Sequence, residues 1–563
     1  MYYPSNFPRD LEPHLITLLL KLQSIWESEP KQTLPTWHKH IRKILQQKEY
    51  EAFHGKTPPY WWLQFMLLRH KDRLTPSFVT HLESTLIKTK IRSISGIVPL
   101  TLFTKGVACP FNCIYCPSEP NVPKSYLSDE PAVMRAIRSH YDPFIQTQSR
   151  LIMFALSGHS IDKIEIIIKG GTFSFLPKRY RTFFLRRIFQ ACNTDTKHFI
   201  DDNSKEPTHE STTLSSEQKK NEEAPSRIIG INIETRPDYI TRDELIYLRR
   251  LGVTHIEIGV QTLFDDVYTK IKRGHMVQSV VKATRMLKDA GFKVGYHFML
   301  NLPGSSADRD TEMLNMGFTN EAFKPDHIKL YPTTITKFTR LAEEYKKGAY
   351  VPYPLERMIE VILEAKKNIF PVWVRIGRLT RDITTTMMEA HLFPPNLREI
   401  IQKRQIAENI KCQCIRCREI QLDKPLLPIT TRITEYPSSG GREFFIEKID
   451  GMDKCLGFIR LRFPSYLYDT DVAPLFMALK GAAIIRELHV YGKSTPLGGQ
   501  ETKSAQHKGW GEELLSTAEK ITQEAGIAKL AVISGIGVRE YYRKKGYGLR
   551  STYMIKKFKK PTA

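Results

Sequence analysis

The chain has 563 residues, 41% of them hydrophobic, which predicts about three ordinary globular domains with buried cores. Lysine and arginine number 84 against 60 aspartates and glutamates, and the net charge of +24 favours a polyanionic partner over a merely basic soluble protein. The 8 cysteines, most of them in two tight clusters, argue against a secreted disulfide framework and for metal chemistry in a reducing compartment. The N-terminus lacks a signal-type pattern and a membrane-length apolar run, so we expect a cytoplasmic protein with no membrane partner.

Residues 1–90 are predicted to be a helical, basic segment. Apolar residues recur at three-to-four spacing over 11–26 and 38–50. Basic residues follow the paired tryptophans Trp61 and Trp62, and basic side chains beside aromatic ones suit a folded RNA. Packing of the tryptophans in a core is the alternative. The segment is therefore a candidate RNA platform.

The region 91–390 alternates strand-like and helical segments. The apolar pattern predicts strands at 98–104, 163–169, 228–234, 255–260, 293–300 and 327–331. Repeated strand–helix units predict a parallel barrel or partial barrel, whose active site lies at the carboxyl ends of the strands.

A CxxxCxxC motif, Cys109, Cys113 and Cys116, directly follows the first predicted strand. Three thiolates can hold three irons of a 4Fe–4S cluster and leave the fourth iron open. The spacing resembles the cluster loop of radical-SAM enzymes, in which S-adenosylmethionine binds the open iron. A zinc knuckle and a disulfide are the alternatives, but no fourth zinc ligand lies close by and a disulfide leaves one cysteine over.

The second predicted strand ends in Gly170, Gly171 and Thr172. A glycine pair allows the backbone to approach a ligand closely and to offer carbonyl groups to an ammonium group. The motif alone is equally compatible with a turn. One strand after the cysteine loop, it indicates a binding site for the amino group of S-adenosylmethionine.

Later strand ends carry further polar residues. Glu234 and Arg236 can hold ribose hydroxyls and a carboxylate, or they can form a structural ion pair. Gln261 and His297 are expected to line the same cavity. Between these strands, 193–226 is almost entirely polar, and such a segment buries too little apolar surface to offset its ordering entropy. We predict a disordered insertion there, without a chemical role.

A second cysteine cluster, Cys412, Cys414 and Cys417, lies in a linker predicted over 391–427. CxCxxC is compact enough for three thiolates to share one ion, and zinc is the expected metal. His391 is the nearest upstream histidine for the fourth position. Three free thiols are the alternative, and zinc here would be structural.

The final region, 428–563, has a different pattern. Strands are predicted at 442–449, 454–461, 484–490 and 529–534, the first two joined by an Asp-Gly turn. Lys508, Gly509 and Gly511 open an amphipathic helix, where exposed backbone N–H groups can bind a pyrophosphate. The pattern is similar to the acetyl-CoA fingerprint of the GNAT fold.

The short segment that follows contains the adjacent tyrosines Tyr541 and Tyr542. In a GNAT domain, a tyrosine at this place commonly protonates the departing CoA thiolate. Aromatic packing is the alternative, and we expect it for one of the two.

The combination of the two regions resembles the catalytic subunit of Elongator, the tRNA-uridine acetyltransferase family. The likeness extends from about 91 to 557. It includes 126–136, 169–172, 234–238, 257–261, 273–275, 381–383, 396–398, 486–491, 532–535 and 539–542. The implied fold class is α/β: a radical-SAM partial (β/α) barrel followed by a GNAT acetyltransferase domain, with a helical N-terminal segment.

The resemblance implies that a 5′-deoxyadenosyl radical takes hydrogen from the methyl group of acetyl-CoA, and that the carbon radical adds to the 5-carbon of a wobble uridine. Thioester hydrolysis then leaves a carboxymethyl group. The first cysteine triad would hold the cluster, the two strand-end motifs would face S-adenosylmethionine, and the glycine-opened helix would bind CoA. One tyrosine of the pair would act at the thioester. The N-terminal segment and the groove between domains would hold tRNA.

The short cysteine spacing looks bacterial and suggests a chain that acts without the other Elongator subunits; a homodimer is left open. The stretch 375–381 departs from the usual form of the family. Two other functions remain as alternatives: a protein lysine acetyltransferase that uses the GNAT domain alone, and a non-catalytic protein that binds tRNA or CoA.

Overall fold

The structure is a computed structural model that describes residues 7–30, 32–86, 96–107, 109–196, 212–390, 392–394, 396–421, 425–492 and 509–559. It consists of an N-terminal helical region, a parallel seven-stranded sheet surrounded by helices, and a mixed seven-stranded sheet. Among the described residues, no helix is both long and apolar enough to span a membrane.

The N-terminal region packs four helices around its own apolar core. They are α1 (Glu12–Ser28), α2 (Leu34–Ile44), α3 (Tyr60–Arg69) and α4 (Pro76–Thr85). Trp37 is fully buried at the centre, and Trp61 and Trp62 pack at its edge against Phe7, with ring centroids 6.4 and 6.0 Å away. The same core includes Phe144 of a barrel helix, so the region is continuous with the barrel. The paired tryptophans thus belong to a core, as the alternative reading predicted.

The parallel sheet is a partial barrel, with strands in chain order from one edge to the other. Its strands are β1 (Val98–Phe103), β2 (Lys163–Lys169), β3 (Arg227–Thr235), β4 (His255–Gln261), β5 (Lys293–Leu300), β6 (His327–Pro332) and β7 (Arg375–Arg378). Its helices are α5 (Pro131–Arg138), α6 (Pro143–Leu156), α7 (Lys178–Asn193), α8 (Leu214–Asn221), α9 (Arg242–Leu251), α10 (Asp265–Lys270), α11 (Val277–Asp289), α12 (Ala307–Thr319), α13 (Arg340–Lys346), α14 (Leu355–Glu364), α15 (Leu397–Ala407) and α16 (Ile415–Arg418). The predicted strands agree to within a residue at each end. The sequence gives no signal for β7, which is short and begins and ends with arginine.

The prediction of disorder over 193–226 is wrong for the parts that the structure describes. Helix α7 continues to Asn193, and α8 begins with a reciprocal cap between Thr213 and Ser216. Asn221 is fully buried, and its side chain accepts a hydrogen bond from the Ile228 N–H at 2.8 Å. This polar segment is ordered by caps and tertiary hydrogen bonds rather than by apolar burial. Residues 197–211 lie outside the described residues.

The second sheet is mixed, and it agrees with the acetyltransferase fold expected from the sequence. Its strands are β8 (Thr430–Ser438), β9 (Gly441–Ile449), β10 (Cys455–Phe463), β11 (Ala483–Val490), β12 (Lys529–Val532), β13 (Gly548–Arg550) and β14 (Tyr553–Lys557). Its helices are α17 (Trp510–Glu524) and α18 (Arg539–Arg543). Only β11 and β12 pair in parallel, and their pairing covers 483–485 and 530–532. Beyond those residues the two strands separate and leave a cleft.

The two sheets meet at the amino ends of the barrel strands. Lys293, the first residue of β5, donates to Glu487 of β11 at 2.6 Å. Asp326, just before β6, pairs with Arg486 of β11 at 2.6 Å, and both side chains are fully buried. The carboxyl ends of the barrel strands therefore point away from the second sheet.

Candidate active site

A cavity of about 150 Å³ lies at the carboxyl ends of the barrel strands. All three residues of the first cysteine triad, Cys109, Cys113 and Cys116, contribute to its wall. Because β1 ends at Phe103, the loop that carries them starts at the rim of the barrel. The structure thus brings the cysteine loop to the edge where parallel barrels hold their active sites. We call this cavity the chamber.

The cysteine loop is held by contacts from the facing strands. Arg273 lies with Nη1 3.6 Å from the Cys113 sulfur, and its Nη2 donates to the Gly259 carbonyl at 2.5 Å. Burial and the neighbouring Cys113 raise the pKa of the Cys116 thiol to about 11. A thiol in that environment is deprotonated when a metal binds it, because the metal supplies the missing positive charge. The donor set, three cysteines on one loop facing a cavity, fits an iron–sulfur cluster.

The predicted glycine pair forms one side of the chamber. Gly171 and Thr172 line the cavity, whereas Gly170 lies behind them against Thr104. The backbone φ angles of Gly170 and Gly171 are +136° and +87°, which favour glycine. A Cβ on Gly170 would lie 2.1 Å from the Thr104 hydroxyl. Glycine is therefore needed at these positions for the loop to pack this closely, and a role of the pair at the amino group of S-adenosylmethionine stays a prediction.

Glu234 lines the chamber but is already engaged by protein groups. It accepts a hydrogen bond from the Tyr126 hydroxyl at 2.5 Å, and its other oxygen contacts Lys169 and, at 3.3 Å, Lys329. Burial would raise the pKa of Glu234, but the two lysines together hold it well below its usual value. The carboxylate is therefore ionised and fixed in position.

Arg236 combines the two roles that the sequence left open. Its Nε donates to Asp238 at 2.9 Å, and its guanidinium stacks 3.4 Å from the centre of the Phe111 ring. Its Nη1 is buried without a protein partner, and the residue lines the chamber. One edge of the guanidinium is thus an ion pair, and the other is available to a ligand.

The chamber wall contains more unpartnered polar atoms than a protein core normally tolerates. They belong to Tyr115, Thr235, Arg236, Gln261 and Thr336. Gln261 also has a φ of +71°, an uncommon conformation for a residue with a side chain. Buried donors and acceptors of this kind are satisfied by a bound polar molecule. The chamber therefore fits a ligand with several polar groups, such as S-adenosylmethionine.

A second site lies in the cleft between β11 and β12. It has a volume of about 130 Å³, and its walls include His489 of β11, Ser534 after β12 and Tyr542 of α18. Its floor is formed by the amino ends of barrel strands, including His255 and Lys293. The cleft and the chamber thus lie at opposite ends of the barrel.

The two tyrosines occupy different positions in the structure. Tyr542 is buried in the cleft wall, whereas the hydroxyl of Tyr541 lies 3.6 Å from the Cβ position of Gly511, at the start of α17. Burial and the nearby Glu512 raise the pKa of Tyr541 to about 12. Gly509 caps α17 with a φ of +78°, and Lys508 lies outside the described residues.

Similarity to known proteins assigns this chain to a family. The Radical SAM superfamily model matches residues 103–316, and the Radical_SAM C-terminal domain model matches residues 325–406. The tRNA uridine(34) acetyltransferase of Methanocaldococcus jannaschii is 39% identical over 488 residues, covering 84% of this chain and 86% of that protein. Human Elongator complex protein 3 is 37% identical over 487 residues, covering 83% and 85%. The chain belongs to this radical-SAM family.

A solved structure supports the same assignment. The archaeal Methanocaldococcus infernus Elp3 with an N-terminal deletion superimposes with a TM-score of 0.69 and 35% identity. The match covers 82% of this chain and all of that one. The family relationship therefore extends through the barrel and the second sheet.

The radical-SAM barrel contains a layer of buried charges, of which sequence reasoning singled out Glu234 and His297 but not Glu257 and Lys329. Glu257 of β4 contacts Lys329 and accepts from His297 at 2.7 Å, and Lys329 also reaches Glu234. Glu234 and His297 line the chamber, as expected from the sequence. Glu257 and Lys329 lie inside strands and are paired only by the fold of the barrel, so no local signal could have found that pair. They support the chamber from below.

The second cysteine cluster of this radical-SAM protein lies at the junction between the domains. The sulfurs of Cys412, Cys414 and Cys417 lie within 4.8 Å of one another. Cys417 accepts from Lys366 at 3.4 Å, and the hydrogen bonds from its neighbouring thiols hold its pKa at about 2. The donor set fits one zinc ion. His391 lies outside the described residues.

Proposed function

We propose that this chain is a tRNA-modifying enzyme that uses acetyl-CoA and radical chemistry to carboxymethylate the 5-carbon of the wobble uridine of tRNA. The observation that carries the proposal is the chamber, in which three cysteines face unpartnered polar groups at the catalytic end of a barrel. The relatives named tRNA uridine(34) acetyltransferase supply the substrate class.

The chamber residues would bind and orient the cofactors. Cys109, Cys113 and Cys116 would hold a 4Fe–4S cluster, which together with S-adenosylmethionine supplies a radical that removes a hydrogen atom from a C–H bond. Gly171 allows the backbone to lie close to the ligand, and the free edge of Arg236 can bind a carboxylate. The fixed carboxylates and lysines below keep the wall rigid.

The cleft residues would handle the thioester. Backbone N–H groups at the start of α17, opened by Gly509, suit the phosphates of CoA. Tyr541 is protonated at neutral pH, as its pKa of about 12 requires, so its hydroxyl can donate a proton to a thiolate leaving group. Zinc at the Cys412 cluster would have a structural role.

The tRNA would bind a basic surface. On α2 and in the loop after α3, exposed Lys39, Arg42, Lys43, Lys71 and Arg73 outnumber nearby acidic residues. Such side chains neutralise phosphates, and the net charge of +24 acts in the same direction. The N-terminal region is therefore a docking platform in this proposal.

One observation favours a second function, protein lysine acetylation by the GNAT domain alone. The chamber and the cleft lie at opposite ends of the barrel strands. The eight residues of β5, Lys293–Leu300, span about 23 Å at 3.3 Å per residue. Carboxymethylation requires the acetyl-bearing group to cross that distance, whereas acetyl transfer to a lysine does not.

The test is nucleoside mass spectrometry of tRNA after incubation with anaerobically reconstituted protein, acetyl-CoA, S-adenosylmethionine and a reductant. Cys113→Ala and Tyr541→Phe are the test variants. Cys192→Ala is the matched control, because Cys192 is buried in the barrel core and lies in neither cysteine cluster.

Carboxymethyluridine from the wild type and the control, but not from Cys113→Ala, supports the proposal. Tyr541→Phe is expected to retain S-adenosylmethionine cleavage and to lose at least tenfold in carboxymethyluridine. Acetylated lysine without modified uridine, unchanged by Cys113→Ala, would establish the second function instead.

A further inference from the structure

Three buried residues, His255, Glu257 and His327, form a cluster at the amino-terminal half of the barrel strands, between the chamber and the cleft. His255 and Glu257 lie two residues apart on β4 and therefore face the same side of the sheet. His327 begins β6, two strands away. One ligand atom from each residue lies within 4.8 Å of the others.

Two glycines make the room in which these side chains meet. Gly295 of β5 is the register partner of both Glu257 and His327, and a Cβ there would lie 2.8 Å from Glu257 Cγ and 3.2 Å from His255 Nε2. A Cβ on Gly377 of β7 would lie 2.3 Å from His327 Nε2. Because these two strand positions have no side chain, two imidazoles and a carboxylate can occupy the space beside them.

Three of the four ring nitrogens in this cluster lack protein partners. Both nitrogens of His255 and Nδ1 of His327 are buried without a hydrogen bond, and the two residues are only 6% and 8% exposed. Glu257 Oε1 lies 3.8 Å from His327 Nδ1, which is too long for a hydrogen bond. A neutral imidazole has one donor and one acceptor, so burial leaves the hydrogen-bonding capacity of these rings unsatisfied.

The contacts of Glu257 leave one oxygen available to the histidines. Its Oε2 contacts Lys329 and His297, on the side of the chamber. Its Oε1 faces His327 and accepts one hydrogen bond, from Asn232 at 2.8 Å. Lys329 therefore neutralises one side of the carboxylate and leaves the lone pairs of the other side directed at the imidazoles.

We propose that His255 Nε2, His327 Nδ1 and Glu257 Oε1 bind a divalent first-row transition-metal ion, zinc or iron(II), in the lower barrel. Two imidazoles and one carboxylate form a donor set that these borderline ions prefer over magnesium or calcium. Three protein ligands leave at least one position open. Of the three residues, His255 lines the cleft, so water from the cleft can fill that position.

The test is the metal content per chain of the purified full-length protein, measured by inductively coupled plasma mass spectrometry in a Cys113→Ala background that reduces cluster iron. Residual acid-labile sulfide is measured to subtract any remaining cluster. His255→Gln and His327→Gln are each expected to lose one equivalent of the same metal. His159→Gln is the matched control, because His159 is buried to the same 8% exposure in another part of the barrel.

Two further variants keep the test decisive if a glutamine variant does not fold. Gly377→Ala retains all three ligands but displaces His327, and it is expected to lose the same equivalent. Cys412→Ser is expected to lose a different equivalent. Cobalt incorporated at this site during growth should give visible absorption bands without thiolate-to-cobalt charge transfer. The absorption bands of this site should disappear in Gly377→Ala.

Equal metal content in the wild type, His255→Gln and His327→Gln, all folded by near-ultraviolet circular dichroism, would overturn the proposal. So would a single non-cluster ion that is lost in Cys412→Ser. An ion that binds only when metal is added in excess and is removed by dialysis would also overturn it. Because the readout is metal content, these results do not depend on whether the tRNA reaction proposed above occurs.

Discussion

Asp326 and Arg486 form the central ion pair of the junction between the barrel and the second sheet. Both carboxylate oxygens of Asp326 accept from Arg486, at 2.6 and 2.7 Å, and one also accepts from the Val294 N–H at 2.8 Å. Neither residue is exposed to solvent. We predict that Asp326→Asn, which replaces one acceptor by a donor that faces the guanidinium, weakens the junction strongly.

The size of the effect follows from what Arg486 retains. Removal of one partner of a buried ion pair costs about 3–5 kcal/mol, since the other charge stays buried without compensation. Glu443 still accepts from Arg486 at 2.8 Å, so we expect the lower end, about 3 kcal/mol. If the free energy of unfolding falls by about 3 kcal/mol per molar urea, the urea concentration at the midpoint of junction unfolding would fall by about 1 M.

Urea unfolding followed by tryptophan fluorescence measures this change. Trp373, before β7, stacks on Tyr436 of β8 at 3.9 Å and reports on the contact between the domains. Asp308→Asn is the control, because Asp308 is 92% exposed and its pair with Arg357 should contribute less than about 1 kcal/mol. Equal midpoints for the two variants would refute the reasoning. In a double-mutant cycle, Asp326→Asn combined with Arg486→Gln should cost less than the sum of the single changes.

Three further predictions concern the chamber, the junction and α18. Gly170→Ala should lower S-adenosylmethionine cleavage at least tenfold, measured as 5′-deoxyadenosine, since the added Cβ would collide with Thr104. The junction should lose stability below about pH 4, measured as a lower urea midpoint. Arg486 holds the pKa values of Asp326 and Glu443 below those of the unfolded chain, although burial alone would raise them. The two carboxylates therefore stabilise the junction fully above their unfolded pKa values, and this stabilisation is lost as the pH falls through their folded pKa values. Glu222→Gln should increase hydrogen exchange in α18, because Glu222 accepts from Arg539 at 3.2 Å; unchanged exchange would contradict a role in holding that helix.

The parts of the fold that sequence reasoning found are those with a local signal. The apolar residues of β2, of which every second one is buried, identify a strand, and the three cysteines after β1 predict a metal-binding loop. Glycines with positive φ, such as Gly171, were found because their conformation restricts the residue type. In each case the residues of a single strand or loop are enough to predict the feature.

The parts it missed depend on partners that are distant in sequence. Helix α8 was taken for disorder because its stability comes from contacts such as the buried Asn221, not from an apolar face. Strand β8 alternates exposed polar residues at the edge of the sheet, which by pattern alone look like a loop. Lys329 lies in the middle of β6, and its carboxylate partners come from β4 and β3, which are two and three strands away in the sheet. Charged residues that are paired only by the fold cannot be recognised as pairs from a short stretch of sequence.

The barrel strands connect the two sites more directly than the chain sequence suggests. β6 begins beside Asp326 at the junction, carries Lys329 in the charged layer, and reaches the chamber at Tyr331. β5 does the same with Lys293 at the junction and His297 in the chamber wall. A strand is stiff along its length because its backbone hydrogen bonds fix it to both neighbours. The charges at the junction and those under the chamber therefore hold the same strands in place, so the geometry of the chamber depends on the contact with the second domain as well as on the cysteine loop itself.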